Sequence, residues 1–176
     1  LGTILASQPG LRVTRIGGQY SSAYASIRGS TPEQVLVYLD GIPLNLATGG
    51  AVDLAALPLG PLETVHIYRS ASAGGMGSSA MGGVIALETK TLAKPHTEAY
   101  TEGGSLETYA LRAAQSLGGG PLRGLVGLDG ITTQGNFSYI NDQGTLFAGS
   151  EGDDERAVRL NNHSRQASGI LKLGWK

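Results

Sequence analysis

Cysteine is absent from the 176 residues, which excludes disulfides and thiolate metal sites and leaves the redox compartment open. A dominant charge is missing too. Thirteen Lys and Arg stand against fourteen Asp and Glu, a formal net charge of −1, and the basic residues are scattered rather than gathered into the patch that nucleic-acid binding needs. No apolar run nears the roughly 20 residues of a membrane-spanning helix. That leaves a membrane β-barrel open, because its strands alternate too finely for hydropathy to register. His66, His96 and His163 are far apart, and none has a second ligand at zinc spacing. No G-x-S-x-G elbow is present, so enzyme activity is not expected. No basic-then-apolar leader precedes Leu1; any signal peptide is expected to have been removed or to lie outside this sequence.

What is abundant is glycine, 28 residues, set among short alternating runs. "LGTILASQPG" predicts one or two turns of helix stopped by Pro9 and Gly10. "LRVTRI" and "AYASIRG" alternate as strands around a "GGQYSS" turn. "VLVYLDGIPL" is a hairpin signal: a buried-type strand from Val35 to Leu39, an Asp40-Gly41 turn and a short return. "VDLAALPL" predicts a short helix capped by Asp53 and stopped at Pro58, because an aspartate there accepts the orphan backbone N–H groups. "LETVHIYRS" and "VIALETK" complete a small α+β unit through Lys90.

The glycine run between those last two strands tests a nucleotide-binding alternative. Gly75-Met76-Gly77-Ser78-Ser79-Ala80 satisfies the loose G-x-G-x-x-G/A pattern after a strand. A pyrophosphate site needs a helix to start there, yet Gly82 and Gly83 would cost such a helix roughly 1 kcal/mol each. The P-loop pattern also fails, since Gly83 stands where lysine is required. A compact turn fits the run better than a phosphate cradle.

After Pro95 the alternation is longer and stricter. Tyr109, Leu111, Ala113 and Leu117 oppose Thr108, Ala110, Arg112, Ala114 and Ser116; Leu122, Val126 and Leu128 share a side with Gly124; Ala167, Gly169, Leu171, Leu173 and Trp175 oppose Ser168, Ile170, Lys172 and Lys176. Apolar on one face and polar or small on the other is a barrel-wall pattern, although a soluble antiparallel sheet would read similarly. "GGGP" makes a tight turn, whereas about 132–165 reads as one long polar loop, the rim asymmetry of transmembrane barrels. Trp175 is expected near a membrane interface. In the long loop, Asp142, Glu151, Asp153, Asp154 and Glu155 supply hard oxygens for Ca²⁺ without matching EF-hand spacing. A glycine-rich β-solenoid is a further alternative, but no fixed repeat period is found.

The order of the motifs resembles the TonB-dependent outer-membrane receptors. Their plug domain carries an "IRG" strand, a "VLVLIDG" hairpin, an "LP-x-x-x-I/L-E-x-I/V-E-x-x-RG" segment and a closing "YGS-x-A-x-GGVINIITK" segment. Here stand Ile27-Arg28-Gly29, "VLVYLDGIPLN" from Val35 to Asn45, "LPLGPLETVHIYRS" from Leu57 to Ser70 and "MGSSAMGGVIALETK" from Met76 to Lys90. "GNFSYINDQGT", Gly135 to Thr145, is similar to the early barrel, and "PLNLATGGAVDLAALPL" to the cobalamin-transporter branch. Two departures bear on turn geometry: Arg69-Ser70-Ala71 replaces "RGP", and Met76 replaces the tyrosine of "YGS".

The resemblance implies an α+β plug domain over 1–90 followed, over 91–176, by the first antiparallel strands of a transmembrane β-barrel. It implies a receptor of the bacterial outer membrane that imports a siderophore or corrinoid, with TonB as periplasmic partner and no cofactor. Arg28 and Arg69 match family arginines expected to latch the plug to wall glutamates; solvated strand-face arginines are the alternative. Outward loops at 18–22 and 45–50 make Gln19, Tyr20, Asn45 and Thr48 substrate-contact candidates, unless they are polar only because loop tips are wet. Family barrels have about 22 strands. This chain accounts for few of them and shows no TonB box, so a fragment or one piece of a split barrel is expected. The alternative function is that of a shortened or split homologue serving as a structural subunit of an outer-membrane complex, without transport.

Overall fold

The computed structural model describes residues 1–17, 21–45, 50–69, 81–90, 95–118, 120–141, 155–160, 162–175. Within them, helix α1 (Gly2–Ala6) leads into β1 (Leu11–Arg15) and β2 (Ala23–Ile27), which pair antiparallel with Leu11 opposite Ile27. The alternation read from "AYASI" is the burial pattern of β2: Ala23, Ala25 and Ile27 are buried. Arg28 and Gly29 both have positive φ, 52° and 80°, and Ser30 N donates to Ile27 O at 3.0 Å, so this strand ends in a tight reverse turn.

A second sheet has the order β4-β3-β6-β5, formed by β3 (Val35–Leu39), β4 (Ile42–Pro43), β5 (Leu62–Tyr68) and β6 (Gly83–Thr89). Asp40 and Gly41, with φ of 49° and 83°, make the turn that Asp-Gly favours between paired strands. β6 lies parallel to β3 and antiparallel to β5. Covered on both faces, it is buried at every position but Glu88, which is why its sequence is continuously apolar. Gly83, at φ 131°, approaches Tyr68 so closely that a Cβ there would lie 2.6 Å from the Tyr68 carbonyl oxygen. This described end of the glycine run is thus required by backbone packing; residues 70–80 lie outside the described residues.

Asp53 caps a 3-10 turn over Leu54–Ala56. Its Oδ1 accepts from Ala55 N and from Ala23 N, each at 2.9 Å, so the cap also ties the turn to β2. Leu5, Leu11, Ile27, Val35, Val37, Leu54, Ile85 and Leu87 pack into one core beneath both sheets.

The remaining long strands are β7 (His96–Gly104), β8 (Thr108–Leu117), β9 (Leu122–Thr133) and, after two short strands, β12 (Ser164–Trp175). They form one antiparallel meander, β12-β9-β8-β7, with lengths of nine to twelve residues, close to the roughly 9–11 that cross a bilayer when tilted. The stretch read as one polar loop carries more structure than the sequence suggested. β9 runs to Thr133, β12 starts at Ser164, and β10 (Ser138–Asn141) pairs with β11 (Glu155–Val158) between them. Gly135, at φ 64°, and Asn162, whose Nδ2 donates to Gly135 O at 2.8 Å, brace the base of that hairpin. No described helix is long and apolar enough to cross a membrane.

Candidate functional site

The alternation of the four-stranded meander resolves into two unlike faces. On one, Tyr109, Leu111, Leu117, Leu122, Val126, Leu128, Leu171, Leu173 and Trp175 are all exposed. On the other, Thr108, Ala110, Ala114, Ser116 and Leu125 are buried. Neighbours on β9 illustrate the contrast: Leu125 is 1% exposed and Leu128 60%. The buried face is the one laid against the first domain, so the meander is a wall and the α+β unit its contents.

Among the described residues, three contacts between contents and wall stand out. First, Gly127 on β9 receives Pro61, and a Cβ on Gly127 would lie 2.7 Å from Pro61 Cγ. Only glycine admits that approach. Beside it, Gly60 N donates to Asp129 Oδ2 at 3.3 Å. Asp129 belongs to a chain of inward charges: Arg112 Nε lies 3.4 Å from Asp129 Oδ1, and Arg112 Nη1 3.4 Å from Glu102 Oε2. The Arg112 guanidinium also stands 5.7 Å from the centre of the Tyr100 ring, within cation–π reach.

Second, Lys90, just past β6, pairs with Glu98 on β7.

Third, Asp40 and Thr89 meet Lys172 of β12. Because β3 and β6 run parallel, their C-terminal ends arrive side by side. Thr89 N donates to Asp40 Oδ1 at 2.9 Å and Thr89 Oγ1 to Asp40 Oδ2 at 2.7 Å. Lys172 Nζ donates to Asp40 Oδ2 at 2.9 Å and to Thr89 Oγ1 at 3.0 Å. Burial alone would raise the Asp40 pKa, but the Thr89 backbone N–H and the Lys172 ammonium outweigh it and hold the carboxyl below its ordinary value.

Between these contacts the two parts stand apart. A cavity of about 390 Å³ has Thr3, Ile4, Arg15 and Leu54 on one side and Arg112, Asp129, Gln166 and Ser168 on the other. A second, of about 460 Å³, lies between Leu59, Leu62 and Lys90 and wall residues Glu98, Tyr100 and Ala114. Arg112 lines both.

Of the latch and substrate-contact residues singled out from sequence, the structure describes Arg28, Arg69 and Asn45, which lie apart from these contacts. Arg28 is exposed in its turn, and its backbone N–H donates to Gly10 O at 2.9 Å. Arg69 Nε donates to Pro9 O at 3.1 Å. Among the described residues neither arginine is in an ion pair with a carboxylate. Asn45 braces the hairpin: its Oδ1 accepts from Val37 N at 2.8 Å and its Nδ2 donates to Val35 O and Gly50 O, each at 3.0 Å. Gln19, Tyr20, Thr48, Asp142, Glu151, Asp153 and Asp154 lie outside the described residues. The described residues hold no group of three or more His, Cys, Asp or Glu able to bind a metal. Sequence reading missed Asp40, Thr89, Lys172, Arg112 and Asp129 as interface residues. The signal for Lys172 was present, since a lysine in the inward register of a wall strand needs an anionic partner in the lumen.

An α+β domain held against the polar face of a sheet whose other face is apolar defines a plug and part of a β-barrel wall. Residues 1–84 match the family model of the TonB-dependent receptor plug domain. The chain is 35% identical over 118 residues, 66% of its length, to the vitamin B12 transporter BtuB of Vibrio cholerae, and 35% identical over 86 residues to that of Vibrio vulnificus. It spans about a fifth or less of these relatives, 19% and 14% of their lengths. Among solved structures, the FrpB iron transporter of Neisseria meningitidis superposes over 99% of this chain and 26% of its own at a TM-score of 0.66 and 16% identity. The ferric yersiniabactin uptake receptor FyuA of Yersinia pestis superposes over 98% and 25%, at 0.59 and 23%. Together these likenesses support a fragment of a TonB-dependent receptor, near the cobalamin branch.

Proposed function

We propose that the chain forms the plug and opening wall strands of an outer-membrane receptor that imports a large, scarce nutrient, with TonB supplying the work from the periplasm. One observation carries this reading: the wall turns most of its large apolar residues away from the plug and, Leu125 apart, buries small and polar residues against it, an arrangement stable with lipid outside and a filled lumen inside. Its first and last strands, β7 and β12, present free edges, which further wall strands would close. A corrinoid is the favoured cargo, because the relatives at 35% identity are vitamin B12 transporters; a ferric siderophore is the second. Those transporter relatives also weigh against a purely structural subunit and against an enzyme.

In this reading the plug covers 1–90. Arg28 and Arg69 reach carboxylates on wall strands beyond β7–β9 and β12, and Gln19, Tyr20, Asn45 and Thr48 lie on the side where cargo lands. The test is uptake by cells that depend on the full-length protein, with and without TonB. TonB-dependent accumulation of cobalamin supports the reading. Accumulation of a ferric siderophore instead reassigns the cargo, and no uptake of either class rejects it.

A further inference from the structure

The three plug–wall contacts differ in kind. At Gly127 and Pro61 the surfaces touch beside a single backbone-to-carboxylate bond, Gly60 N to Asp129 Oδ2 at 3.3 Å, and Lys90 and Glu98 are near neighbours in sequence. The Asp40–Thr89–Lys172 contact joins positions 132 residues apart. It gathers one carboxylate, one hydroxyl and one ammonium so that each is bonded to the other two. The Asp40 side chain is 23% exposed and that of Lys172 37%, so water screens the pair less than a free surface pair. Its location also matters. Asp40 and Thr89 end the parallel strands β3 and β6, whose burial carries the plug core, and Lys172 sits three residues before the end of β12, toward the end of the wall where β8 stops at Leu117 and β9 begins at Leu122. A charge-assisted contact here ties the most buried sheet of the plug to the wall, whereas the β1–β2 layer faces the wall across the 390 Å³ cavity.

We infer that Asp40, Thr89 and Lys172 form a polar lock that fixes the β3–β6 sheet of the plug to the wall, and that the seal of the lumen depends on it. Lys172 is the positioning residue: it touches no cargo and acts by holding Asp40. The lock rests on the plug-in-barrel reading, and on no assignment of cargo.

The test uses the full-length protein, purified and reconstituted, as wild type and as Lys172→Met, Lys172→Arg, Asp40→Asn and the Lys172→Met/Asp40→Asn double variant. Asparagine tolerates the positive φ at position 40, so Asp40→Asn removes charge while keeping the turn and leaving the wall sequence intact. Two quantities are read: hydrogen exchange of the segment 83–89, and ion conductance across a planar bilayer. Lys172→Met and Asp40→Asn are each expected to speed exchange and raise conductance about tenfold, the scale of a lost charged hydrogen bond. The double variant is expected to be no worse than either single one, and Lys172→Arg to stay near wild type. Should Lys172→Met fail to form a heat-modifiable barrel, Asp40→Asn decides alone. Unchanged exchange and conductance in Asp40→Asn, or fully additive effects in the double variant, would overturn the lock. Failure of TonB-dependent uptake with the exchange effect intact would remove the transport reading and leave the lock standing.

Discussion

The plug and the wall are built from similar apolar residues and dispose of them in opposite ways. In the plug, Leu5, Ile27, Leu54, Ile85 and Leu87 are at most 1% exposed, gathered where two sheets and a short helix close on one another. In the wall, Leu111, Leu122, Leu128, Leu171, Leu173 and Trp175 are all more than half exposed, and the residues buried on the opposite face are, Leu125 apart, small or polar. Burial of apolar surface from water explains the first part. It does not explain the second, whose exposed apolar band is what a wall facing hydrocarbon requires. In the proposed reading one chain is folded against two solvents, and the line between them follows the alternate residues of β8, β9 and β12.

Substitutions can break that comparison, and the largest effect is expected in the plug. Ile85→Asp places an unpaired carboxylate in a closed core, at a cost above about 4 kcal/mol; protease digestion of the full-length protein should cleave the plug while the wall survives. Leu128→Arg, halfway along β9, is expected to cost about 2–4 kcal/mol when folding into lipid vesicles is measured, as for a charge at the bilayer midplane. The same change would be nearly neutral on a water-facing sheet. Gly127→Val sharpens the contact between the parts rather than either part. Its side chain would meet Pro61, already 2.7 Å from a mere Cβ, and about 1–3 kcal/mol of overpacking is expected, read as a lower denaturant midpoint for the plug transition.

The smallest effect concerns pH. The folded-state pKa of Asp40 is lowered, so the stability this carboxylate contributes is complete above the unfolded aspartate pKa and is lost as pH falls through the lower folded value. Conductance of the reconstituted protein should therefore stay flat from neutral pH to the ordinary aspartate range and rise only below it. In Asp40→Asn that acid-dependent rise should vanish.

Much of this was legible in sequence, for local reasons. The Asp40-Gly41 turn, the Asp53 cap, the unbroken apolar run of β6 and the alternation of β8 and β12 each arise from neighbours along the chain, and each stands in the structure where its residues suggested. The hairpin β10–β11 was hidden because its strands are four residues each and lie in a polar stretch whose composition resembles a loop. The interface was hidden for another reason. Lys172 reads as one more polar residue of an alternating strand until β12 is laid beside the ends of β3 and β6. Gly127 reads as a small wall residue until Pro61 arrives against it. Family motifs pointed instead to Arg28 and Arg69, which here bond to the turn between α1 and β1 through Gly10 and Pro9.

Spin labels at Leu125→Cys and Leu128→Cys in the full-length protein, reconstituted in lipid, test the two-solvent division most directly. These positions lie three residues apart on β9, facing the plug and facing away. The label at 128 should collide with dissolved oxygen and not with a water-soluble nickel complex, while the label at 125 should be immobile and shielded from both. A label at 128 that meets the nickel complex as freely as one in solution would contradict a lipid-facing wall.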